Sequence, residues 1–153
     1  MNKISTFLWF DNNAEQAVDF YASVFTDLKI KHTSRYGENP HMPAGTVMTV
    51  NFELFGQEFT ALNGGPVYKF SEAISFVVNC EDQNEIDYFW DKLGENGTYQ
   101  QCGWLTDQFG ITWQIVPKNI GELLSPPDKE KAQRVMQELY KMIKLDIAKL
   151  KDA

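Results

Sequence analysis

The sequence predicts an α+β fold: two copies of a β-α-β-β-β unit, followed by a C-terminal amphipathic helix. Three observations carry this. The first is the stretch Cys102 to Pro117, CGWLTDQFGITWQIVP, which reads as two strands around a turn. Asp107 can bond its own backbone, and Gly110 is free to take positive φ. Ile111 to Val116 is rich in β-branched and aromatic residues, and Pro117 stops it. The second is a capping arrangement that occurs twice, Asn12 with Glu15 and Asp82 with Glu85. The third is the order in which strand, cap, helix and hairpin recur along the chain.

Taken in order, Lys3 to Phe10 is an apolar strand. Asn12 then opens a helix whose stripe is Ala14, Ala17, Val18, Tyr21 and Phe25. Leu28 to Tyr36 alternates as a strand, and Gly37 to Gly45 is a polar loop with two prolines. Thr46 to Phe55 and Glu58 to Leu62 are strands joined at Gly56-Gln57, and Asn63-Gly64-Gly65-Pro66 breaks the run. The second half repeats the plan. Ala73 to Asn79 is a strand, and Asp82 opens a helix with the stripe Ile86, Phe89, Trp90 and Leu93. Gly94 and Gly97 end that helix, and a strand near Thr98 to Cys102 leads into the hairpin. An offset of about 69 residues sets Phe7 on Phe76, Tyr21 on Trp90 and Val24 on Leu93. An offset of about 54 sets Phe59 on Trp113 and Thr60 on Gln114. Repeat one covers about 3–63, repeat two about 72–117, and a helical extension about 118–151, all within a single domain 1–153. In the extension, Ser125-Pro126-Pro127-Asp128 precedes a stripe of Ala132, Val135, Met136, Leu139, Ile143, Ile147 and Leu150. This reads as one long amphipathic helix with a basic outer face.

Composition narrows the function classes. A net charge of −7 argues against nucleic acid as a partner, because phosphate binding needs a basic patch. Cys80 and Cys102 form no CxxC and match no zinc spacing, so both read as reduced thiols. Ile4 to Phe10 is too short for a signal peptide or a membrane span, and the reading is of a soluble, cytoplasmic protein. The hairpin gives the sharpest local expectation. Ile111, Trp113 and Ile115 point one way and suit packing under a helix. Thr112, Gln114 and Val116 point the other way and can line a cavity.

A duplicated β-α-β-β-β unit resembles the vicinal oxygen chelate superfamily, which includes glyoxalase I, extradiol dioxygenases and the bleomycin and fosfomycin resistance proteins. Within it the chain looks like the PhnB-like family, also called the 3-demethylubiquinone-9 3-methyltransferase domain family. The matching stretches are Leu8-Trp9-Phe10-Asp11, Ala14-Glu15, Phe20-Tyr21 and Ala61-Leu62-Asn63-Gly64-Gly65-Pro66. Further on they are Ile74-Ser75-Phe76, Cys102-Gly103-Trp104-Leu105, Asp107 with Phe109-Gly110, and Trp113-Gln114-Ile115-Val116-Pro117. The tail, Arg134-Val135-Met136 through Met142 and Lys144 to Leu150, agrees as well. The resemblance implies a glyoxalase-like half-barrel. In metal-dependent relatives each half gives two ligands, usually His on the first strand and Glu on the last. The resemblance places Thr6 (or Ser5) and Ser75 at the first-strand positions and Gln114 at the last-strand position of the second half. Thr60, with Leu62 or Asn63 as alternatives, falls at the last-strand position of the first half.

None of these is a strong ligand for a divalent ion, so the expectation is a site without metal or other cofactor. His32 and His41, the two histidines, lie off these positions. Methyl transfer, which the family name suggests, is discounted, because the strand-to-helix turns Asp11-Asn12-Asn13 and Cys80-Glu81-Asp82 lack glycine. Asp11, Glu58 and Asp107 are the candidates for acid–base work. Each has a bland alternative, as a turn, cap or solvent-facing residue. Cys102 has no neighbouring His in sequence and reads as a structural thiol. The reading that remains is a small-molecule cup lined by Thr6, Leu8, Thr60, Asn63, Ser75, Trp104 and Gln114. The alternatives are an enzyme of unknown substrate and a dimeric scaffold. The apolar tail stripe adds the expectation of a homodimer.

Overall fold

The computed structural model describes residues 2–153. The chain divides into two compact units, the first ending at Phe70 and the second spanning Ser71–Ala153. The mixed α+β class and the repeated unit are both present. Unit one holds β1 (Thr6–Phe10), α1 (Ala14–Val24), β2 (Lys29–Arg35), β3 (Val47–Leu54) and β4 (Gln57–Asn63). Its sheet has the order β1-β4-β3-β2, with β1 parallel to β4 and the other pairs antiparallel. Unit two holds β5 (Ser75–Cys80), α2 (Gln83–Gly94), β6 (Thr98–Tyr99), β7 (Trp104–Thr106) and β8 (Thr112–Pro117), in the equivalent order β5-β8-β7-β6.

In each unit one face of the sheet is buried beneath the helix. In unit one that face carries Leu8, Phe10, Val50, Phe52, Phe59 and Ala61 against Ala14, Ala17, Val18 and Tyr21 of α1. In unit two it carries Leu105, Trp113 and Ile115 against Ile86, Trp90 and Leu93 of α2. Tyr99 fixes the helix to this side: its ring stacks on Trp90 at 4.6 Å and its hydroxyl donates to the Trp90 carbonyl.

The two helices are capped differently. Asp82 caps α2 as expected, accepting from the Glu85 amide at 3.0 Å, while Glu85 reaches back to the Glu81 amide. The Asn12–Glu15 box predicted for α1 does not form. The residue at the cap is Asn13, and its side chain makes no capping bond. Instead Asn63, at the end of β4, accepts from the Ala14 amide at 2.9 Å and donates to Glu15 and to the Val47 carbonyl. A strand residue thus satisfies one of the helix's orphan amide donors.

The tail also departs from the single long helix expected. It forms α3 (Ile120–Leu124), α4 (Lys129–Lys141) and α5 (Ile147–Asp152). Met142 is extended, at φ −82° and ψ 147°, and Asp146 caps α5 by accepting from Lys149. The reason is competition for backbone bonds. The carbonyls of Met142 and Ile143 accept from the amides of Cys102 and Gly103, at 2.9 and 2.8 Å. The apolar stripe changes accordingly: Met142 and Leu145 join Val116, Val135, Leu139 and Leu150 in a buried cluster, and Ile143 is exposed. Gly103 makes this crossing possible. Its φ is +81°, and a Cβ there meets the Ile115 carbonyl at 2.9 Å and Leu145 at 3.0 Å.

Candidate functional site

The parallel pair β5–β8 sets Ser75 beside Thr112 and Val77 beside Gln114, and the antiparallel pair β7–β8 sets Trp104 opposite Gln114 and Thr106 opposite Thr112. Side chains alternate along a strand, so Ser75, Val77, Trp104, Thr106, Thr112 and Gln114 share the face turned away from α2. The hairpin is aimed by Asp107. Its Oδ1 accepts from the Phe109 and Ile111 amides at 2.8 and 3.1 Å, and its Oδ2 accepts from the Trp113 indole at 2.8 Å. This buried carboxylate is fully used in holding the turn, so it is a structural group rather than a general base.

The face is polar and neutral. Gln114 Nε2 donates to Ser75 Oγ at 2.9 Å, and Gln100 Nε2 donates to Thr106 Oγ1 at 3.1 Å. Thr106 and Thr112 bring their hydroxyls to 3.4 Å. Ser75, Trp104, Thr106 and Gln114 are half-buried, and Val77 is 48% exposed. No residue of β5, β6, β7 or β8 carries a charge. Of the candidates read from the sequence, Gln114, Ser75 and Trp104 come together on this face. Sequence reasoning did not single out Thr106 or Gln100, although Thr106 was findable as the partner of Thr112 across the predicted turn.

The four candidates in the first unit fare differently. Thr6 pairs with Phe59 and Leu8 with Ala61, so both lie on the face covered by α1. Leu8 is 6% exposed and belongs to the core. Asn63, 1% exposed, is committed to capping α1, as described above. Thr60 alone faces away from the helix, with Phe7 beside it and Asn51 donating to its hydroxyl at 2.8 Å. It borders a hollow of about 740 Å³ whose walls include Lys31, Glu53 and Glu58. The equivalent faces of the two sheets therefore differ in charge.

The first strands of the two repeats are offset by one residue relative to their helices, which bears on the choice between Thr6 and Ser5. Phe59 matches Trp113 in the repeat; Phe59 pairs with Thr6, and Trp113 pairs with Phe76. Thr6 therefore corresponds to Phe76, not to Ser75. Three residues separate β1 from α1 and two separate β5 from α2. A repeat aligned on its helices is one residue out on its first strands, and a one-residue slip moves every side chain to the other face.

The remaining reactive groups are accounted for. Burial pushes the Cys80 thiol up to about 12, helped by Glu85 and Asp82, so it is held as the unreactive thiol. Cys102 is half-buried and directs its sulfur to the Leu139 carbonyl. His32 and His41 are exposed on β2 and on the loop after it. Among the described residues no three of His, Cys, Asp and Glu gather in a way that could hold a metal ion. Among the same residues no helix is long and apolar enough to cross a membrane.

Comparison with known proteins places this geometry. The model of the 3-demethylubiquinone-9 3-methyltransferase family matches residues 2–116, so the match ends in β8 and does not include the tail. A PhnB protein from Bacillus cereus that carries the same family name is 37% identical, with a TM-score of 0.68. The similarity covers 75% of this chain and 99% of that one. Protein PA1353 from Pseudomonas aeruginosa is 19% identical with a TM-score of 0.62, covering 76% of this chain and 98% of that one, a likeness of fold. No curated protein matches the chain. The family match over both repeats and the identity to the Bacillus cereus structure show that the chain belongs to the 3-demethylubiquinone-9 3-methyltransferase, or PhnB-like, family.

Proposed function

We propose that this protein binds a small organic molecule on the face of the second sheet turned away from α2. The observation that supports the reading is the state of Gln114. Its amide spends one N–H on Ser75 and has no other partner among the described residues. It lies on a half-open surface beside Trp104 and Val77. Ligand sites combine an apolar wall with a few placed polar groups, and this face has that composition. Thr60 supplies the matching position in unit one. We propose no metal or cofactor for either face, because hydroxyls and amides leave a divalent ion uncompensated. We propose no methyl transfer, because neither strand-to-helix turn holds a glycine.

A thermal-shift screen of small molecules on the full chain tests the reading. A ligand present at a hundredfold excess over its Kd stabilises by about 2.7 kcal/mol. Gln114→Ala is expected to fold like the parent and to lose that gain. A Gln114→Ala protein that melts far below the parent, yet still responds to the same ligand, makes Gln114 a structural amide and sinks the proposal.

A homodimer is the second part of the reading. The tail stripe that suggested it is largely buried within the chain, and what supports it here is the large apolar side chains left in water, among them Phe7, Val67 and Tyr68 of unit one at 61%, 71% and 65% exposed. Sedimentation at micromolar concentration is expected to give a dimer, and a monomer removes this part alone.

A further inference from the structure

This step rests on the proposed binding face and concerns the kind of molecule that it takes. Charge comes first. None of the strands of the second sheet carries a charged residue. A carboxylate or an ammonium laid on this face loses water and gains no counter-charge from the strands, which disfavours it. A neutral ligand meets no such cost.

A primary amide has two N–H donors and a carbonyl acceptor. Gln114 gives one donor to Ser75. Its carbonyl oxygen and its second N–H have no protein partner among the described residues. Ser75 accepts from Gln114 and so keeps its own hydroxyl proton to give. The face thus offers an acceptor with donors next to it. The complementary group presents N–H and C=O side by side on one edge, as a cis amide does. Glutamine and asparagine read adenine by the same bidentate logic.

Shape comes last. Trp104 stands directly across the β7–β8 pair from Gln114, and Val77 stands beside Gln114 on β5. The amide therefore sits in a row between a flat aromatic ring and a small apolar side chain. A planar ring that reaches the amide has the Trp104 side chain as its cross-strand neighbour, and offset stacking of two such rings is favourable. We propose that this face binds an uncharged, planar lactam or imide, with its cis-amide edge on Gln114 and Ser75 and its ring over Trp104.

The test uses four probes of one bicyclic size with the full chain: isocarbostyril, N-methylisocarbostyril, naphthoate and naphthylmethylammonium. The readouts are the Gln114 side-chain amide signal and the Trp104 indole signal in a nitrogen–proton correlation spectrum. Gln114→Leu and Trp104→Phe identify the two signals. Isocarbostyril is expected to move both signals saturably. N-methylation removes the donor, and the affinity is expected to fall about tenfold or more, because a site built to bond an N–H rejects the analogue that lacks it. The two charged probes are expected to move neither signal. Gln114→Leu is expected to bind isocarbostyril no better than the parent binds the N-methyl compound. If the N-methyl compound or a charged probe binds as well as isocarbostyril, the lactam assignment falls and the binding face stands. If Gln114→Leu binds isocarbostyril like the parent, the amide edge is not read by Gln114, and the assignment falls again. If no probe moves either signal, the binding face itself is overturned together with the assignment.

Discussion

The two sheets share one topology and differ in chemistry. Lys29, Lys31, Arg35, Glu53 and Glu58 lie on the strands of the first, and no charged residue lies on the strands of the second. On the first, Glu53 faces Glu58 across β3–β4, a like-charge pair that Lys31 relieves from one side at 3.3 Å. On the second, the corresponding positions hold Thr106 and Thr112, whose hydroxyls approach each other. The supporting bonds are also exchanged. In unit one a strand residue, Asn63, caps the helix, whereas in unit two the helix caps itself and a carboxylate, Asp107, braces the hairpin. A duplicated unit can therefore keep its backbone while the charge and the supporting bonds of the two copies differ. In each copy the conserved requirement is the apolar face under the helix, and the opposite face is free to change.

Substitutions can sharpen or break this comparison. The largest effect is expected at Trp113, which is 6% exposed and bonded to Asp107. Trp113→Ala should cost about 3–5 kcal/mol in denaturant unfolding, whatever the role of Gln114. Next is Asn63→Ala, which strands the Ala14 amide and the Val47 carbonyl and should cost about 1–3 kcal/mol. Asp82→Ala removes an ordinary side-chain cap and should cost about 0.5–2 kcal/mol. If Asp82→Ala proves the more costly of the two, the contrast in capping is wrong. Smaller again is Gln114→Ala, which should stay within about 0.5 kcal/mol of the parent because water can take the place of a half-exposed amide.

The Asp87–Lys144 pair, 2.9 Å apart, gives a pH-dependent prediction. The Lys144 ammonium, then Gln83, hold the Asp87 carboxyl below its ordinary value of 3.8. A carboxyl lowered by folding stabilises above that ordinary value, and the stabilisation is lost as pH falls through the folded value. Lys144 is raised above 10.5 chiefly by its bond to Asp87, so its share is present below 10.5 and is lost as pH rises through the folded value. Both side chains are about two-fifths exposed, and solvent screening keeps the effect of Asp87→Asn below about 1 kcal/mol at neutral pH. Unfolding curves of parent and variant should converge in strong acid; a constant difference from neutral pH to acid would show that the pair contributes nothing ionic. The smallest effect is expected from a chelator, which should leave the melting temperature unchanged. Elemental analysis that finds about one divalent ion per chain, lost with stability on chelation, would reverse the proposal of a metal-free site.

Much of this was legible in the sequence, for reasons that differ by element. The alternation of Ile111 to Val116 placed Trp113 inside and Gln114 on the other face, because a strand with one apolar side has one way to lie on a core. Asp82 and Glu85 announced α2 because cap and helix are adjacent in sequence. The cap of α1 was not legible, since Asn63 lies on a distant strand and only the tertiary fold brings it to Ala14. Thr6 (or Ser5) was placed by resemblance alone, and the face that β1 turns to the helix depends on the extra residue before α1, which no local pattern records. The break at Met142 was hidden because a helix-spaced stripe does not record that Cys102 and Gly103 claim two of its carbonyls.

The absence of charge on the second sheet has a consequence for the chain before it is folded. The strand order leaves β5 at one edge, and its sequence, Ser75-Phe76-Val77-Val78-Asn79-Cys80, contains neither proline nor a charged gatekeeper. Of the two edge strands of the first sheet, β2, with Lys29, Lys31 and Arg35, is protected against pairing with another molecule, whereas β1 carries no charge either. Refolding is therefore exposed to intermolecular strand pairing through β5, with a yield that declines as protein concentration rises. A lysine at Val77 would guard that edge, and it would do so beside Gln114, on the neutral surface proposed to bind a ligand.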